Sequence, residues 1–334
     1  MIDLLVARIL MIVPVTVLGI FIGLLYKGID RRLAARMQAR IGPPLVQPFR
    51  DVKKLMLKEN IVPRDAVAWV FNLMPFVALA SSIVLLMYVP LFGYPPLLEG
   101  HGDLMLVLYM LMFPSLALVI GGFASSSPYA TVGAQREMIT MVSYEFPLAI
   151  TIVALAWLVS ATAPGAAAFS FSAITAIPVW HLVGVLGSIG LALLFAVIIF
   201  VTTGEMGEVP FDSAEAETEI AGGLLSEYSG RNLALFYLAS AIKILVLGSV
   251  VIALFIPFGI SGYAGLSGIA GEAADIGFFL VKLFIVMFIS STFIRVAAAR
   301  FRITQVVKIY WGYTTMIALL GLVLIGLDIF MGVI

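Results

Sequence analysis

Eight long apolar stretches dominate this chain of 334 residues and limit what it can fold into. About 20 consecutive apolar residues are the length of an α-helix that crosses the hydrocarbon core of a bilayer. Because charged residues make up only 11% of the chain, an ordinary soluble domain is excluded. We therefore predict an all-α polytopic membrane protein, a bundle of about eight transmembrane helices that forms a single integral membrane domain over residues 1–334. The predicted spans cover approximately residues 4–26, 68–91, 103–123, 138–159, 181–203, 233–258, 275–294 and 309–332.

The lysine and arginine residues of the connections predict how the bundle is oriented. The first connection holds ten of them, whereas the second, fourth and sixth connections hold none. Since loops rich in Lys and Arg stay in the cytoplasm, we expect the odd-numbered connections there and both termini outside the cell membrane. The predicted cytoplasmic connections are approximately residues 27–67, 124–137, 204–232 and 295–308.

The chain has few residues of the types that bind redox centres. It has no cysteine, which excludes disulfides, thiolate zinc sites and cysteinyl iron–sulfur clusters. The two histidines, His101 and His181, adjoin Pro- and Gly-rich connections, which favours surface positions over metal or haem ligation. We expect no cofactor, no metal and no catalytic residue in this chain, and no nucleic-acid partner because no basic stripe is present.

The segment Thr203–Gly230 sets seven carboxylates between two apolar spans. Charges beside hydrocarbon are costly, so these groups face water, a partner protein or one another, and crowded carboxylates retain protons near neutral pH. The pattern predicts an ion path, with a solvated acidic loop as the alternative. The candidates are Glu205, Glu208, Asp212, Glu215, Glu217, Glu219 and Glu227.

Three ionisable residues inside the predicted spans, Glu145, Lys243 and Lys282, extend the candidate ion path. Glu145 precedes Pro147, whose missing backbone donor frees a carbonyl in the preceding turn and makes room for water. For the two lysines, a salt bridge between helices or snorkelling to the interface is the alternative.

The first connection has a helical pattern of its own. Apolar residues recur every four positions over 29–41 and every three over 49–55, with a Gly-Pro-Pro break at 42–44. This pattern predicts two short amphipathic helices on the membrane surface. Binding to anionic headgroups and docking of a peripheral subunit both remain open as explanations of its basic residues.

Three motifs carry a family resemblance. They are R-I-G-P-P-L-V-Q-P-F-R-D-V-K-K-L-M-L-K-E over Arg40–Glu59, G-A-Q-R-E-M-I-T-M-V-S-Y-E over Gly133–Glu145, and the block from P-F-D to E-Y-S-G over Pro210–Gly230. In their order and placement among eight spans they resemble the H subunit of respiratory complex I, which joins the peripheral arm to the membrane arm.

The resemblance implies a chamber beside the terminal iron–sulfur cluster of the peripheral arm and an acidic path toward antiporter-like subunits. It places Glu145, Glu205, Glu215, Glu217, Glu219 and Glu227 at or near that path. The residues that it implies for the chamber or the peripheral-arm interface are Arg40, Gly42, Pro43, Gln47, Asp51, Lys53, Lys54, Glu59 and Arg136.

Two differences from the respiratory H subunits indicate which branch of the family the chain resembles most. Gly42-Pro43-Pro44 leads to Gln47 after only two residues, a shorter loop than respiratory versions have, and Glu208 stands where they carry arginine. The short form is similar to energy-converting membrane-bound nickel–iron hydrogenases and to ferredoxin-dependent sulfur-reducing complexes. The implied partners are iron–sulfur and hydrogenase-like large subunits, which would hold the iron–sulfur clusters and a NiFe centre, together with antiporter-like and small membrane subunits.

Three functions therefore remain open. The first is the membrane anchor and coupling subunit of a ferredoxin-dependent complex that translocates H⁺ or Na⁺. The second is a quinone-reducing complex I subunit with a modified chamber, which predicts a tunnel that opens to lipid near the first helix. The third is an independent secondary transporter, which predicts interrupted helices and inverted repeats.

Overall fold

The computed structural model describes residues 2–100, 102–162 and 167–331, with side chains described from residue 10 onward. The described residues include eight helices long and apolar enough to cross a membrane, and they contain no β-strand beyond one isolated bridge between Leu91 and Tyr94. The predicted all-α membrane bundle is confirmed. The spans are Leu10–Met37, Ala68–Tyr88, Asp103–Ala124, Pro128–Thr162, Val185–Glu205, Gly230–Phe255, Ile269–Ala297 and Ile303–Phe330.

Short helices complete the fold, and two of the spans change their winding along their length. The α-helices in chain order are α1 Ile2–Met37, α2 Gln47–Leu57, α3 Ala68–Tyr88, α4 Asp103–Ala124, α5 Pro128–Thr162, α6 Phe171–Ala176, α7 Val185–Glu205, α8 Glu217–Ile220, α9 Gly230–Phe255, α10 Ser261–Ala264, α11 Ile269–Met287, α12 Ile294–Ala297, α13 Ile303–Val307 and α14 Thr315–Phe330. A π-helical turn at Phe288–Phe293 joins α11 to α12, and another at Lys308–Thr314 joins α13 to α14.

Two predicted boundaries are wrong in an informative way. Helix α1 continues to Met37, so the first of the two predicted surface helices is the end of the first span and not a separate element. Helix α5 begins at Pro128, ahead of the predicted position 138. Both extensions carry charged residues. A prediction based on apolar stretches ends at such residues, although the helix itself continues. The second surface helix, α2, forms as predicted, with Pro48 at its start.

Helix α9 lies at the centre of the bundle. In the most apolar 18-residue stretch of α9, 89% of the residues are buried, whereas in the corresponding stretch of α1 only 22% are buried. Both helices are apolar on all sides. Close approach of small residues holds α9 in place: a Cβ added at Gly23 of α1 would lie 2.1 Å from the carbonyl oxygen of Ala241. This is the packing expected of membrane helices, whose surfaces cannot be sorted by apolarity alone.

The connections fall at two ends of the bundle. Residues 38–67, 125–127, 206–229 and 298–302 meet at one end, which we call the basic face. There Ser126 donates to the carbonyl of Asp65 at 2.8 Å, and the Phe301 amide donates to the carbonyl of Pro210 at 2.9 Å. At the other end, the opposite face, the Trp180 indole donates to the carbonyl of Phe255 at 2.7 Å.

Candidate functional site

A buried ion pair lies halfway along α9. The ammonium Nζ of Lys243 is 2.8 Å from Oε1 of Glu205, the last residue of α7, and the two side chains are only 8% and 2% exposed. The same ammonium donates to Ser115 Oγ of α4 at 2.9 Å. Buried charges are tolerated when they are paired and hydrogen-bonded, so three helices converge here on one polar centre.

A cavity of about 240 Å³, the inner cavity, leads from this ion pair toward the basic face. Its deep end is lined by Lys243, Glu205, Ser115 and the buried Glu137 of α5. A second cavity of about 270 Å³, the mouth cavity, continues from it to Asp30 and Glu217. The two cavities adjoin because they share five lining residues, which are Lys27, Gly207, Glu208, Asp212 and Glu215.

One wall of the mouth cavity is an acidic cluster around Asp30, which is 4% exposed. Thr292 donates to its Oδ1 at 2.7 Å, and Arg295 Nη1 lies 2.8 Å from its Oδ2. Ser291 donates to Glu208 Oε2 at 2.6 Å. Ser291 and Thr292 belong to the π-helical turn, and such turns are frequent at functional sites.

Two carboxyls of this path outside the membrane spans hold their protons more tightly than usual. Burial, followed by the negative charge of Asp30, raises the pKa of Glu208. Burial, followed by the charge of Glu137, raises the pKa of Glu215 to about 7, although Lys27 acts in the other direction. A carboxyl with such a pKa is partly protonated near neutral pH.

Ion pairs fix the acidic loop, residues 206–229, to its neighbours. Arg300 forms a bidentate salt bridge with Asp212, in which Nε donates to Oδ1 at 2.8 Å and Nη2 donates to Oδ2 at 2.5 Å. Arg136 of α5 donates to Glu219 at 2.6 Å and to the Ser213 carbonyl at 3.2 Å. These contacts anchor the carboxylate-bearing loop over the cavity mouth.

The structure brings only part of the predicted ion path together. Glu205, Glu208, Asp212, Glu215, Glu217 and Lys243 line the inner or mouth cavity. Glu145, Glu219, Glu227 and Lys282 line neither of these two cavities. Glu145 is partly exposed on α5 between Val142 and Phe146, each about half exposed, so that it faces the outside of the bundle. The role of each of these residues in ion movement stays a prediction.

The residues predicted for the chamber or peripheral-arm interface lie on the surface of the basic face. Four of them, Arg40, Lys53, Lys54 and Glu59, are exposed. Gln47 donates to Asp51 at 2.8 Å, and Asp51 also pairs with Arg31 at 2.9 Å, which orders the start of α2. Arg136 is engaged with the acidic loop as described, and the interface role of all these residues stays a prediction.

The loop before α2 packs tightly against α1. A Cβ added at Gly28 would lie 2.2 Å from the carbonyl oxygen of Leu45, and one added at Gly42 would lie 2.9 Å from the Cα of Arg32. Pro43 is partly buried in the same loop. Neither the inner nor the mouth cavity is lined by any residue of 38–67.

The prediction of an ion path from the sequence missed Glu137, Asp30, Ser115 and Lys27. Glu137 lies inside the motif Gly133–Glu145, next to Arg136, and Asp30 lies in the stretch read as a surface helix. One feature of the sequence could have indicated both carboxylates: Asp30 and Glu137 lie in the helical extensions of α1 and α5, which are longer than the roughly 20 residues that cross a membrane. Ser115 carries no such signal because serine is common in membrane helices.

Within the described ranges no group of three His, Asp or Glu residues is arranged to hold a metal ion. His181 is exposed at the end of a short 3₁₀ helix, Val179–His181. His101 lies outside the described residues.

These features define a class: a multi-pass α-helical membrane protein with an acidic cavity that ends at a buried lysine. The sequence pattern of the NADH dehydrogenase family matches residues 8–326. The chain therefore belongs to that family, which includes the H subunit of complex I, and the resemblance seen in the three motifs is confirmed.

Relatives in the family come from more than one kind of complex. The chain is 37% identical over 237 residues to hydrogenase-4 component C of Escherichia coli, covering 70% of this chain and 71% of that protein. It is 30% identical over 315 residues to the H subunit of the NADH-quinone oxidoreductase of Syntrophotalea carbinolica, covering 88% and 87%. In the solved structure of the membrane-bound sulfane sulfur reductase, an archaeal respiratory membrane complex, one chain matches with a TM-score of 0.78 and 27% identity, over 97% of this chain and 99% of that one.

Proposed function

We propose that this chain is the membrane anchor and coupling subunit of a ferredoxin-dependent respiratory complex of the hydrogenase or sulfur-reductase type. It links electron transfer in a peripheral arm to translocation of H⁺ or Na⁺. The observation that carries the proposal is the pair of adjoining acidic cavities that runs from the basic face to the Lys243–Glu205 pair. The chain is not catalytic alone, and the iron–sulfur clusters and a NiFe centre belong to partner subunits.

Two observations favour this reading over a quinone-reducing subunit. The contacts of Gly28 with Leu45 and of Gly42 with Arg32 close the loop onto α1, where a quinone tunnel would open to lipid. Glu208 places a carboxyl group beside Asp30, at a position where the resemblance to respiratory H subunits implies arginine. The hydrogenase-4 relative and the sulfane sulfur reductase neighbour support the same choice.

The distribution of charge supports an arrangement of partners. The basic face lies in the cytoplasm, and the peripheral-arm iron–sulfur and hydrogenase-like subunits dock there, over the exposed Arg40, Lys53, Lys54 and Glu59. Antiporter-like and small membrane subunits adjoin the bundle laterally, with Glu145 as the carboxyl that faces them. Both termini lie on the far side of the cell membrane.

In the proposed mechanism, electron arrival in the peripheral arm changes the charge near the acidic loop. A carboxyl whose pKa lies near 7, such as Glu215, then exchanges its proton with water in the mouth cavity. The altered charge changes the field at Glu137, Glu205 and Lys243, since these groups are buried around the inner cavity and buried charges are screened less than charges in water. Lys243 and Glu205 act as the deep end of the path, where ion movement is passed on.

The test is Glu205→Gln in the assembled complex, with ion transport and electron transfer measured in the same vesicles. We expect electron transfer to persist and ion transport to be lost. Glu215→Gln repeats the test without leaving Lys243 unpaired, and Glu99→Gln, an exposed carboxyl on the opposite face, is the matched control. Normal ion transport in both cavity variants, at wild-type complex levels, would exclude the coupling path.

The type of complex is tested separately, by the nickel and iron content of the complex that copurifies with this chain in mild detergent. Nickel with abundant iron supports the hydrogenase type. Iron without nickel supports a sulfur-reducing or quinone-reducing complex, and a metal-free chain that transports ions alone would overturn the coupling-subunit proposal.

A further inference from the structure

A third cavity, of about 360 Å³, lies at the opposite face, and we call it the outer cavity. Its mouth is formed by the exposed Gly93 and Tyr94, and its wall by α11 with Glu272, Asp275 and Lys282. Its floor is Ser249 of α9. The inner and mouth cavities share no lining residue with it.

The floor of the outer cavity carries a buried hydroxyl group. Ser249 is fully buried, and its hydroxyl has no hydrogen-bond partner among the described residues. Leaving a buried hydroxyl unbonded costs about 1–3 kcal/mol, and a cavity of this size has room for several water molecules next to it. The outer cavity therefore offers space for water beside α9.

The charged groups on the cavity wall are held in fixed positions. Lys282 Nζ donates to the carbonyls of Ile256 and Phe258, both at 2.8 Å. Asp275 accepts from the backbone amide of Ser261 at 2.9 Å and from its hydroxyl at 2.7 Å. Since two carboxylates face one ammonium, the wall carries a net negative charge that favours a cation over an anion.

The outer and inner cavities approach α9 from opposite sides of the membrane. Lys243, at the deep end of the inner cavity, and Ser249 are six residues apart on one helix, which is about 9 Å along its axis. The residues between them, Ile244–Gly248, are buried and apolar. This short segment is all that separates the two polar spaces along the helix.

We infer that the outer cavity is an aqueous half-channel through which the translocated cation leaves, so that the complete ion route passes through this chain and not only through lateral partners. The inference rests on the proposed function, because it assigns an exit to the ion that enters by the inner cavity. The cation crosses about one and a half to two turns of α9 between Lys243 and Ser249.

Single cysteines test the inference cleanly, because this chain has no cysteine of its own. Ser249→Cys is nearly isosteric, and Leu247→Cys, buried on the same helix but outside the cavity lining, is its matched control. Glu272→Cys reports access from the opposite face, and Arg302→Cys, at an exposed position outside the proposed docking surface, reports access from the basic face. A membrane-impermeant cationic methanethiosulfonate is applied to each side of vesicles that contain the whole complex, with the unsubstituted complex as background.

We expect Ser249→Cys to react from the same side as Glu272→Cys, at least about tenfold faster than Leu247→Cys. Modification at Ser249→Cys should then abolish H⁺ or Na⁺ transport while electron transfer continues. Reaction as slow as that of Leu247→Cys would overturn the inference, as would full modification with unchanged transport. Ala253→Cys, which lines the same cavity, takes the place of Ser249→Cys if that variant does not assemble.

The labelling result is independent of whether the proposed function holds. If Glu205→Gln retains ion transport, the coupling path through the inner cavity fails whatever the labelling shows. If Glu205→Gln uncouples but Ser249→Cys is inert, the proposed function stands and only the exit through the outer cavity is excluded.

Discussion

Lys243 Nζ lies 2.8 Å from Glu205 Oε1 in the middle of the bundle, where neither side chain has more than 8% exposure. Breaking a buried pair by removing one partner costs about 3–5 kcal/mol, because the other charge is left uncompensated. We therefore expect Lys243→Met to lower the stability of the complex strongly, and the double variant Lys243→Met/Glu205→Gln to recover part of the loss.

Denaturant unfolding of the purified complex checks this expectation. The control is Arg31→Gln, which breaks the pair with Asp51 at 2.9 Å where both side chains are 35% exposed. Pairs of that kind contribute about 0–1 kcal/mol. Equal losses for Lys243→Met and Arg31→Gln would contradict a buried, uncompensated charge.

The bidentate salt bridge between Arg300 and Asp212 leads to a second prediction. Arg300→Lys keeps the charge but cannot form both contacts of the guanidinium, so we expect a loss of about 1 kcal/mol and a looser acidic loop. Limited proteolysis within residues 206–229 measures the loosening. Arg302→Lys, at an exposed position two residues further on, should cleave at the wild-type rate.

The raised pKa of Glu215 predicts how the stability of the protein depends on pH. Burial raises its pKa from the ordinary 4.5 to about 7, so between these values the folded protein binds more protons than the unfolded chain. The contribution of Glu215 to stability is therefore fully present below about pH 4.5 and is lost as the pH rises through about 7. Glu215→Gln should remove this part of the dependence.

Melting temperatures of the complex at about pH 5 and about pH 8 measure that difference. The wild type should lose more stability across this interval than Glu215→Gln does. Identical slopes for the two proteins would show that Glu215 has an ordinary pKa in the folded state.

Lysine residues on α2 test the docking of the peripheral arm. Lys53 and Lys54 are exposed on the basic face, and charge reversal of both should release the peripheral subunits at moderate salt, since exposed charges are screened beyond about 8 Å. Copurification of those subunits is the measurement. If the arm stays bound, anionic headgroups are the better explanation of the basic residues.

Glu145 and Glu217 test the lateral part of the path. Glu217 lines the mouth cavity, whereas Glu145 is partly exposed on the outside of α5. Glutamine at either position should reduce ion transport by much more than it reduces assembly, because the neutral side chain keeps the shape but cannot ionise. Unchanged coupling at normal complex levels would remove that residue from the path.

The class of fold and most of its elements follow from the amino-acid sequence. Eight apolar stretches have one stable solution in a bilayer, because each backbone polar group must be bonded within its own helix. Glycine and proline marked the break before α2, and the three motifs identified the family. Glu205 and Glu208 were recognisable as site candidates because charges are rare in such a chain.

Which charged groups meet depends on how the helices pack against one another. Helices that face lipid are as apolar as those that face protein, so periodicity could not reveal that α9 is central or that Glu145 faces outward. The pairing of Lys243 with Glu205, and the position of Lys282 in a separate cavity, depend on how α7, α9 and α11 cross. Burial of a charge, and with it the need for a partner, is a property of the packed bundle and is not encoded in any single segment.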